Sequence, residues 1–406
     1  RLSYLVADSG ANTLLTSRSL FDLAAGLCKR VLLIEELLEE AAAPSAVNVE
    51  IEPTDVACLM YTSNATGKPQ GVAITHRNIL KLVKGITYVS ISDDDVIAQI
   101  GLISVDGSLF EIWGALLNGA TLAVYPPRTT SLSELGAFIR DSEITLLLIT
   151  TALFRQMIES NAADLRSVRQ LITGGEAMSP AVASAAFKNL PRTKLFNAYG
   201  PTECTTFSSI YPMTNIAAIG DNVPIGRPVE NTTLYILDRD ANLLPLGAVG
   251  EICIGGDGVA SGYWNQTELT ARHFVADPFS EGRMFRTGDL GKYRADGNIV
   301  LRRPIEIETA IATHPSDLAR DENVLPQTRT EHVLVDLLQE VLGAEHVRVT
   351  DNFFDLGGHS LVATRLLSRV RETFQTEITM GQFFDNPTVA GLAAIVSANG
   401  KAKAAN

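Results

Sequence analysis

Five short strings hold residues whose types and spacing could do chemistry. Tyr61 to Gly71, YTSNATGKPQG, follows an apolar run. Its small and glycine residues leave backbone N–H groups free, and with Thr62, Ser63 and Thr66 beside Gly67 and Lys68 they suit a polyphosphate. It is not a Walker A loop, which would need glycine where Thr62 stands and serine or threonine where Pro69 stands. An ordinary flexible turn is the alternative. In Asn197 to Glu203, NAYGPTE, the chain turns through Gly200-Pro201 and presents Thr202 and Glu203. Hard cations take oxygen ligands, so the lone carboxylate could hold Mg²⁺ bridging phosphates; a surface or capping Glu is the alternative.

In Phe285 to Leu290, FRTGDL, Asp289 after a Thr-Gly turn could accept hydrogen bonds from ribose hydroxyls, or be a solvated turn residue. Gly255 to Gly262, GGDGVASG, has the wrong glycine spacing for a dinucleotide fingerprint and reads as a structural β turn. The most specific string is Asp351 to Leu361, DNFFDLGGHSL: two phenylalanines to pin a loop, two glycines to turn it, and Ser360 at a helix start, where serine is ordinarily an N-cap.

The elements that must position these strings follow from hydrophobic patterning. Ala57–Tyr61, Thr121–Tyr125, Thr145–Thr150 and Arg169–Thr173 read as strands, and Ser131–Arg140 and Pro180–Asn189 as helices, the alternation of a layered α/β domain. Ile144 to Phe154 reads as a buried strand entering a helix. Thr232 to Gly262 has hairpin grammar and predicts a small antiparallel sheet. A linker is expected near Ile305 to Gln327, and beyond it helices at Thr330–Leu342, Leu361–Thr373, Met380–Phe384 and Val389–Ala398 predict a separate small bundle.

Length and composition bound the rest. The chain has 406 residues, room for two to three domains, with 46% hydrophobic and 19% charged residues. That excludes a chain disordered throughout. A net charge of −13 with no basic run argues against nucleic acid or an anionic membrane as partner. Cys28, Cys58, Cys204 and Cys253 lie far apart, as reduced cytoplasmic thiols would.

In their order along the chain, YTSNATGKPQG, FEIWGALLNGA, NAYGPTE, GEICIGGDGVASGYWN and FRTGDL, followed by DNFFDLGGHSL, resemble a nonribosomal peptide synthetase: an adenylation domain and a peptidyl carrier protein. The resemblance implies an adenylate-forming α/β core of the ANL superfamily with a small β subdomain, truncated at both ends, over residues 1–303; a remnant of the C-terminal subdomain and a linker at 304–327; an all-α four-helix carrier at 328–398; and a disordered tail at 399–406. It further implies ATP-dependent activation of an amino acid as aminoacyl-AMP with Mg²⁺, and acyl transfer to a 4′-phosphopantetheine arm on Ser360. A phosphopantetheinyl transferase, then condensation, thioesterase or other synthetase domains, would be the partners.

By motif, Ser63 to Lys68 with Thr62 would face the phosphates, Glu203 and Thr202 the Mg²⁺ and reacting groups, and Gly175, Glu176, Asn197, Tyr199, Gly200, Asp289 and Arg302 the nucleotide. Asp106 in SVDGSLFEIWG matches the aspartate that pairs with the substrate ammonium. Around it, Gly107, Phe110, Ile149, Ile172, Gly174, Ala198, Thr206 and Phe207 would line a mostly apolar pocket, which suggests valine or isoleucine. One methylene is worth only about 1–3 kcal/mol of discrimination, so these two stay unresolved.

The string also departs from the family. The phosphate loop normally reads S-G-(S/T)-T-G-x-P-K-G; here Asn64, Ala65 and Gln70 replace a glycine, a hydroxyl residue and a lysine. After Arg303 the expected mobile subdomain and its catalytic lysine have no match. Both departures predict impaired adenylation. The truncated core is expected to expose apolar faces, which predicts aggregation or dependence on a partner chain. A carrier or scaffold with a dead adenylation remnant, and an acyl-CoA ligase of the same superfamily, are the other readings.

Overall fold

The computed structural model describes residues 2–39, 49–62, 69–126, 131–220 and 222–302, and, farther on, 326, 328–342, 347–349, 351, 353, 360–374, 376, 378, 383 and 387–404. Two units divide the chain, Arg1–Glu308 and Thr309–Asn406.

The first unit is built on a seven-stranded sheet. Its strands are β5 (Val96–Gln99), β6 (Thr121–Val124), β7 (Leu146–Thr150), β8 (Gln170–Gly174), β9 (Lys194–Tyr199), β10 (Ser209–Met213) and β11 (Arg227–Pro228), side by side in the order β11-β10-β9-β8-β7-β5-β6. β6, β5, β7, β8 and β9 run parallel, whereas β10 is antiparallel to β9 and β11 antiparallel to β10. The parallel strands read as near-continuous apolar runs because helices cover both faces, and two buried clusters, one holding Ile97, Leu146 and Ile172, the other Ala98, Leu147 and Leu171, form the core. Side chains of alternating strand residues thus enter opposite clusters. Helix Gly107–Leu116 links β5 to β6, and helix Leu132–Asp141, started by a Ser131–Glu134 capping box, links β6 to β7. Because the chain leaves β5 toward β6 on one side and returns to β7 on the other, a topological switch point lies at β5, and a crevice opens at the carboxyl ends.

The expected strand-to-helix step is β7 running into helix Thr151–Ser160, and Pro180–Asn189 is a helix over its expected bounds, with Ser179 as its cap and Pro180 in the first turn. β12 (Thr232–Leu237) and β13 (Gly250–Gly256) form the expected antiparallel pair, within a five-stranded sheet that adds β14 (Phe274–Ala276), β15 (Arg283–Tyr293) and β16 (Ile299–Arg302). Near the start, β1 (Thr13–Thr16) and β2 (Arg30–Leu33) make a small parallel sheet with Leu15 and Leu38 exposed nearby, and β3 (Val56–Thr62) pairs antiparallel with β4 (Gln70–Thr75).

The second unit contains helices Arg329–Leu342, Ser360–Phe374 and Val389–Ala404 around a core that includes Leu334, Leu338, Leu366 and Val396. Phe353 is fully buried and meets Phe383 edge-on at 5.0 Å, so one of the two expected phenylalanine anchors is seated. One expectation fails: residues 399–406 were to be a disordered tail, yet the last helix runs to Ala404. Alanine and lysine are strong helix formers, and Gly400 alone does not outweigh them. The short helix expected at Met380–Phe384 lies outside the described residues except at Phe383.

Candidate functional site

A cavity of about 320 Å³ opens at the carboxyl ends of β7, β8 and β9. Its wall includes the predicted residues Asp106, Gly107, Ile149, Gly174, Ala198, Thr206 and Phe207, together with Gly175 and Gly200. Two predicted lining residues are not part of it. Phe110 is fully buried and packs behind Phe207, ring centroids 5.1 Å apart, and Ile172 is fully buried in the same cluster. Both lie too far inside, Ile172 because it sits two residues before the strand end at Gly174 that reaches the cavity. Reading by motif also missed Leu148, Thr150, Leu153 and Glu111, which contribute to the wall.

Glycine at two wall positions has a steric cause. A Cβ on Gly174 would stand 2.6 Å from the Ala198 carbonyl oxygen, and one on Gly200 would stand 2.3 Å from that of Thr206. Strand β9 and the loop behind it therefore approach more closely than any side chain allows.

Asp106 stands at the start of helix Gly107–Leu116. Burial pushes its carboxyl above the ordinary range; the Thr202 hydroxyl and the Gly107 amide pull it down, and the Glu203 carboxylate pushes it up. Two carboxylates thus share one neighbourhood, an arrangement that a bound cation would relieve. Glu203 Oε1 accepts a hydrogen bond from the Tyr263 hydroxyl at 2.8 Å, and among the described residues Oε2 accepts none. Nowhere among them do three metal-ligating side chains converge. A hard cation here would have Glu203 Oε2 as its protein ligand and take its other oxygens from substrate.

The nucleotide-side candidates divide. Tyr199 and Asp289 meet, the phenol donating to Asp289 Oδ2 at 2.7 Å, and Arg302, opposite Leu290 in the β15–β16 ladder, lies one register from Asp289. Gly175 has φ +87° and the Glu176 carbonyl accepts from the Thr151 hydroxyl at 3.0 Å, which ties the turn after β8 to the helix after β7. Asn197 is different: it is buried and donates its amide to the Pro224 carbonyl at 2.8 Å, so its side chain braces the strand and does not line the cavity. Thr62 ends β3 opposite Gln70. Ser63, Thr66, Gly67 and Lys68 lie outside the described residues, and so does the side chain of Ser360, the first residue of its helix.

Glu111 is a buried acid in the cavity wall. Oε1 accepts the N–H groups of Ile100 and Gly101, each at 3.2 Å, while the buried Oε2 has no hydrogen-bond partner. Burial pushes this carboxyl up to about 7, against the two amides and the Gln99 side chain. An acid whose folded pKa lies above its unfolded value stabilises the fold below the unfolded value and loses that contribution as pH rises through the folded one. Wild type should therefore lose stability relative to Glu111→Gln by on the order of 2 kcal/mol between pH 4.5 and 7.5. Denaturation followed by tryptophan fluorescence reads this, since both tryptophans, Trp113 and Trp264, lie in the first unit; a pH-independent difference would contradict it.

The family described as AMP-binding enzyme matches residues 1–264, and the one described as phosphopantetheine attachment site matches residues 332–396. Gramicidin S synthase 2 of Brevibacillus brevis is 34% identical over 490 aligned positions, which take in 98% of this chain and 11% of that protein. With 406 residues set against 490 positions, at least 84 positions face gaps in this chain. The N-terminal subdomain of Klebsiella oxytoca NpsA in complex with 3-hydroxyanthranilyl-AMSN superposes with a TM-score of 0.68 at 30% identity, covering 74% of this chain and 76% of that one. The artificially fused adenylation-PCP di-domain NpsA-ThdA, also from Klebsiella oxytoca, has a TM-score of 0.68 at 26% identity, covering 97% and 82%. No helix among the described residues is long and apolar enough to cross a membrane.

Proposed function

The chain belongs to the AMP-binding enzyme family and carries a phosphopantetheine attachment domain behind that region, the adenylation-and-carrier arrangement of nonribosomal peptide synthetases, and from this we propose that it activates an amino acid with ATP and holds it as a thioester on Ser360. The observation that carries the reading is the cavity itself: an apolar pocket with Asp106 in its wall and the Glu203 carboxylate nearby.

A carboxylate is a poor electrophile until a good leaving group is attached, and adenylation attaches one. Catalysis is then mostly positioning and neutralisation of phosphate charge. Asp106 takes the substrate ammonium, which orients the carboxylate away from the apolar wall. Tyr263 fixes one oxygen of Glu203 so that the other is aimed, and Mg²⁺, when bound, would neutralise phosphate charge at that oxygen. Tyr199 and Asp289, already joined, form a platform for adenosine, with Asp289 toward the ribose and Arg302 adjacent. Leu148, Ile149, Leu153 and Phe207 favour an aliphatic side chain, and valine or isoleucine is the substrate class proposed. The arm on Ser360, when attached, supplies the thiol that receives the acyl group.

Turnover is proposed to be weak. Asn64, Ala65 and Gln70 alter the phosphate loop, and the alignment gaps support the loss of a segment that relatives possess. We also assign residues 304–327 to a remnant of that segment and to the linker, and the carrier to 328–398. Condensation and thioesterase domains and a phosphopantetheinyl transferase are the proposed partners; the chain spans only a small fraction of its synthetase relative, so they would lie elsewhere.

Amino-acid-dependent ATP–pyrophosphate exchange tests the activation half. Valine or isoleucine should support exchange above the no-amino-acid background, with other classes near it. Exchange with no amino acid, while Ser360 still accepts the arm, would leave only a carrier and scaffold.

A further inference from the structure

Strain and an unusual cation meet beside the pocket. Thr205 and Thr206 have φ of +58° and +67°, the left-handed region, which β-branched residues avoid. Such a corner persists only where its surroundings hold it. Three polar contacts do so: the Thr205 hydroxyl donates to the Gly258 carbonyl at 2.9 Å, the Thr206 hydroxyl to the Asp106 carbonyl at 2.9 Å, and the Lys81 ammonium to the Phe207 carbonyl at 2.7 Å. Only the last is charge-assisted, the stronger kind.

Lys81 is itself unexplained by the mechanism. It is 5% exposed, on helix His76–Val83, and among the described residues it makes no ion pair. Burial pushes its ammonium down to about 8, opposed by the electrostatic influence of Cys204, Asp257 and Glu230. The glycine-rich turn makes room for it: a Cβ on Gly258 would stand 2.9 Å from both Lys81 Nζ and the Cys204 carbonyl oxygen.

We infer that Lys81 is a positioning residue for substrate selection, clamping the strained Thr205–Phe207 corner so that Thr206 and Phe207 keep the pocket wall in place. The inference rests on the amino-acid-binding reading above. It also gives the Gly255–Gly262 stretch a second duty beyond turning the chain.

Calorimetric binding of valyl-sulfamoyl-adenosine, a non-hydrolysable mimic of aminoacyl-AMP, and of ATP to the full chain provides the test. Binding of the mimic by wild type first establishes the reading on which the inference rests. Lys81→Met should then weaken the mimic about tenfold or more and leave ATP affinity unchanged. In a Thr205→Gly background, where glycine accepts the left-handed backbone without strain, the same substitution should cost several-fold less. Equal losses for the mimic and ATP, or an undiminished loss in the glycine background, would overturn the clamp. If Lys81→Met does not fold, Lys81→Gln, which keeps a donor for the Phe207 carbonyl without charge, should lose less affinity than tenfold; unchanged affinity for the mimic would overturn the inference.

Discussion

Asp106→Ala is expected to weaken binding of valyl-sulfamoyl-adenosine about 100-fold, near 3 kcal/mol, while leaving ATP affinity within about twofold. The magnitude follows from removing one partner of a charge pair, which strands an ammonium against apolar walls; it is set at the low end because Asp106 keeps part of its surface open to solvent. Asp106→Asn should recover little, since an amide offers no counter-charge. The sign of a second effect is also fixed. Removing one of two neighbouring carboxylates relieves the Glu203 repulsion, so the apo fold should not lose stability with the loss of binding. Calorimetry and thermal denaturation of the same samples separate these. Equal weakening of the mimic and ATP would show that Asp106 serves the fold and not the ammonium.

Ser360→Ala is expected to abolish modification altogether. Incubation of wild type with a phosphopantetheinyl transferase and coenzyme A should raise the intact mass by one phosphopantetheine, and the variant should show no increment. No neighbouring hydroxyl replaces it within DNFFDLGGHSL. Ser360 is only the first residue of helix Ser360–Phe374, and the bundle core is built by Leu334, Phe353 and Leu366, so a serine-to-alanine change there is expected to leave the bundle folded. Circular dichroism of the variant checks that the helices remain. Modification of the variant at any other residue would refute the assignment.

Much of this fold was legible because burial imposes periodicity. Leu146–Ile149 and Leu171–Thr173 are buried or half-buried on both faces and read as plain apolar runs, and Ser179-Pro180 marks a helix start by a cap and a fixed φ. Motif order located Asp106, Gly174, Ala198 and Phe207 on one wall, since the carboxyl ends of parallel strands must meet at a crevice. What stayed hidden depends on contacts between distant segments. Phe110 and Ile172 look like lining residues, yet depth along a strand or helix is not written in residue type. Asn197 looks polar enough for a ligand but is spent on the Pro224 carbonyl. Glu111 had a signal, a lone acid within the apolar helix FEIWGALL, and Lys81 had a weaker one in HRNILKLV. Nothing local announces Thr205 and Thr206, whose types disfavour the backbone they adopt. The last helix went the other way: composition suggested a tail, and helix propensity carries it to Ala404.

Both halves of the proposal meet in one measurement. The full chain, first modified with phosphopantetheine, is incubated with ATP, Mg²⁺ and valine or isoleucine and followed by intact mass. A slow gain of one aminoacyl residue, dependent on ATP and lost in both Asp106→Ala and Ser360→Ala, is the predicted result. A modified chain that stays unloaded with every amino acid, yet is loaded when a complete adenylation enzyme is added, would contradict activation and leave this protein a carrier alone.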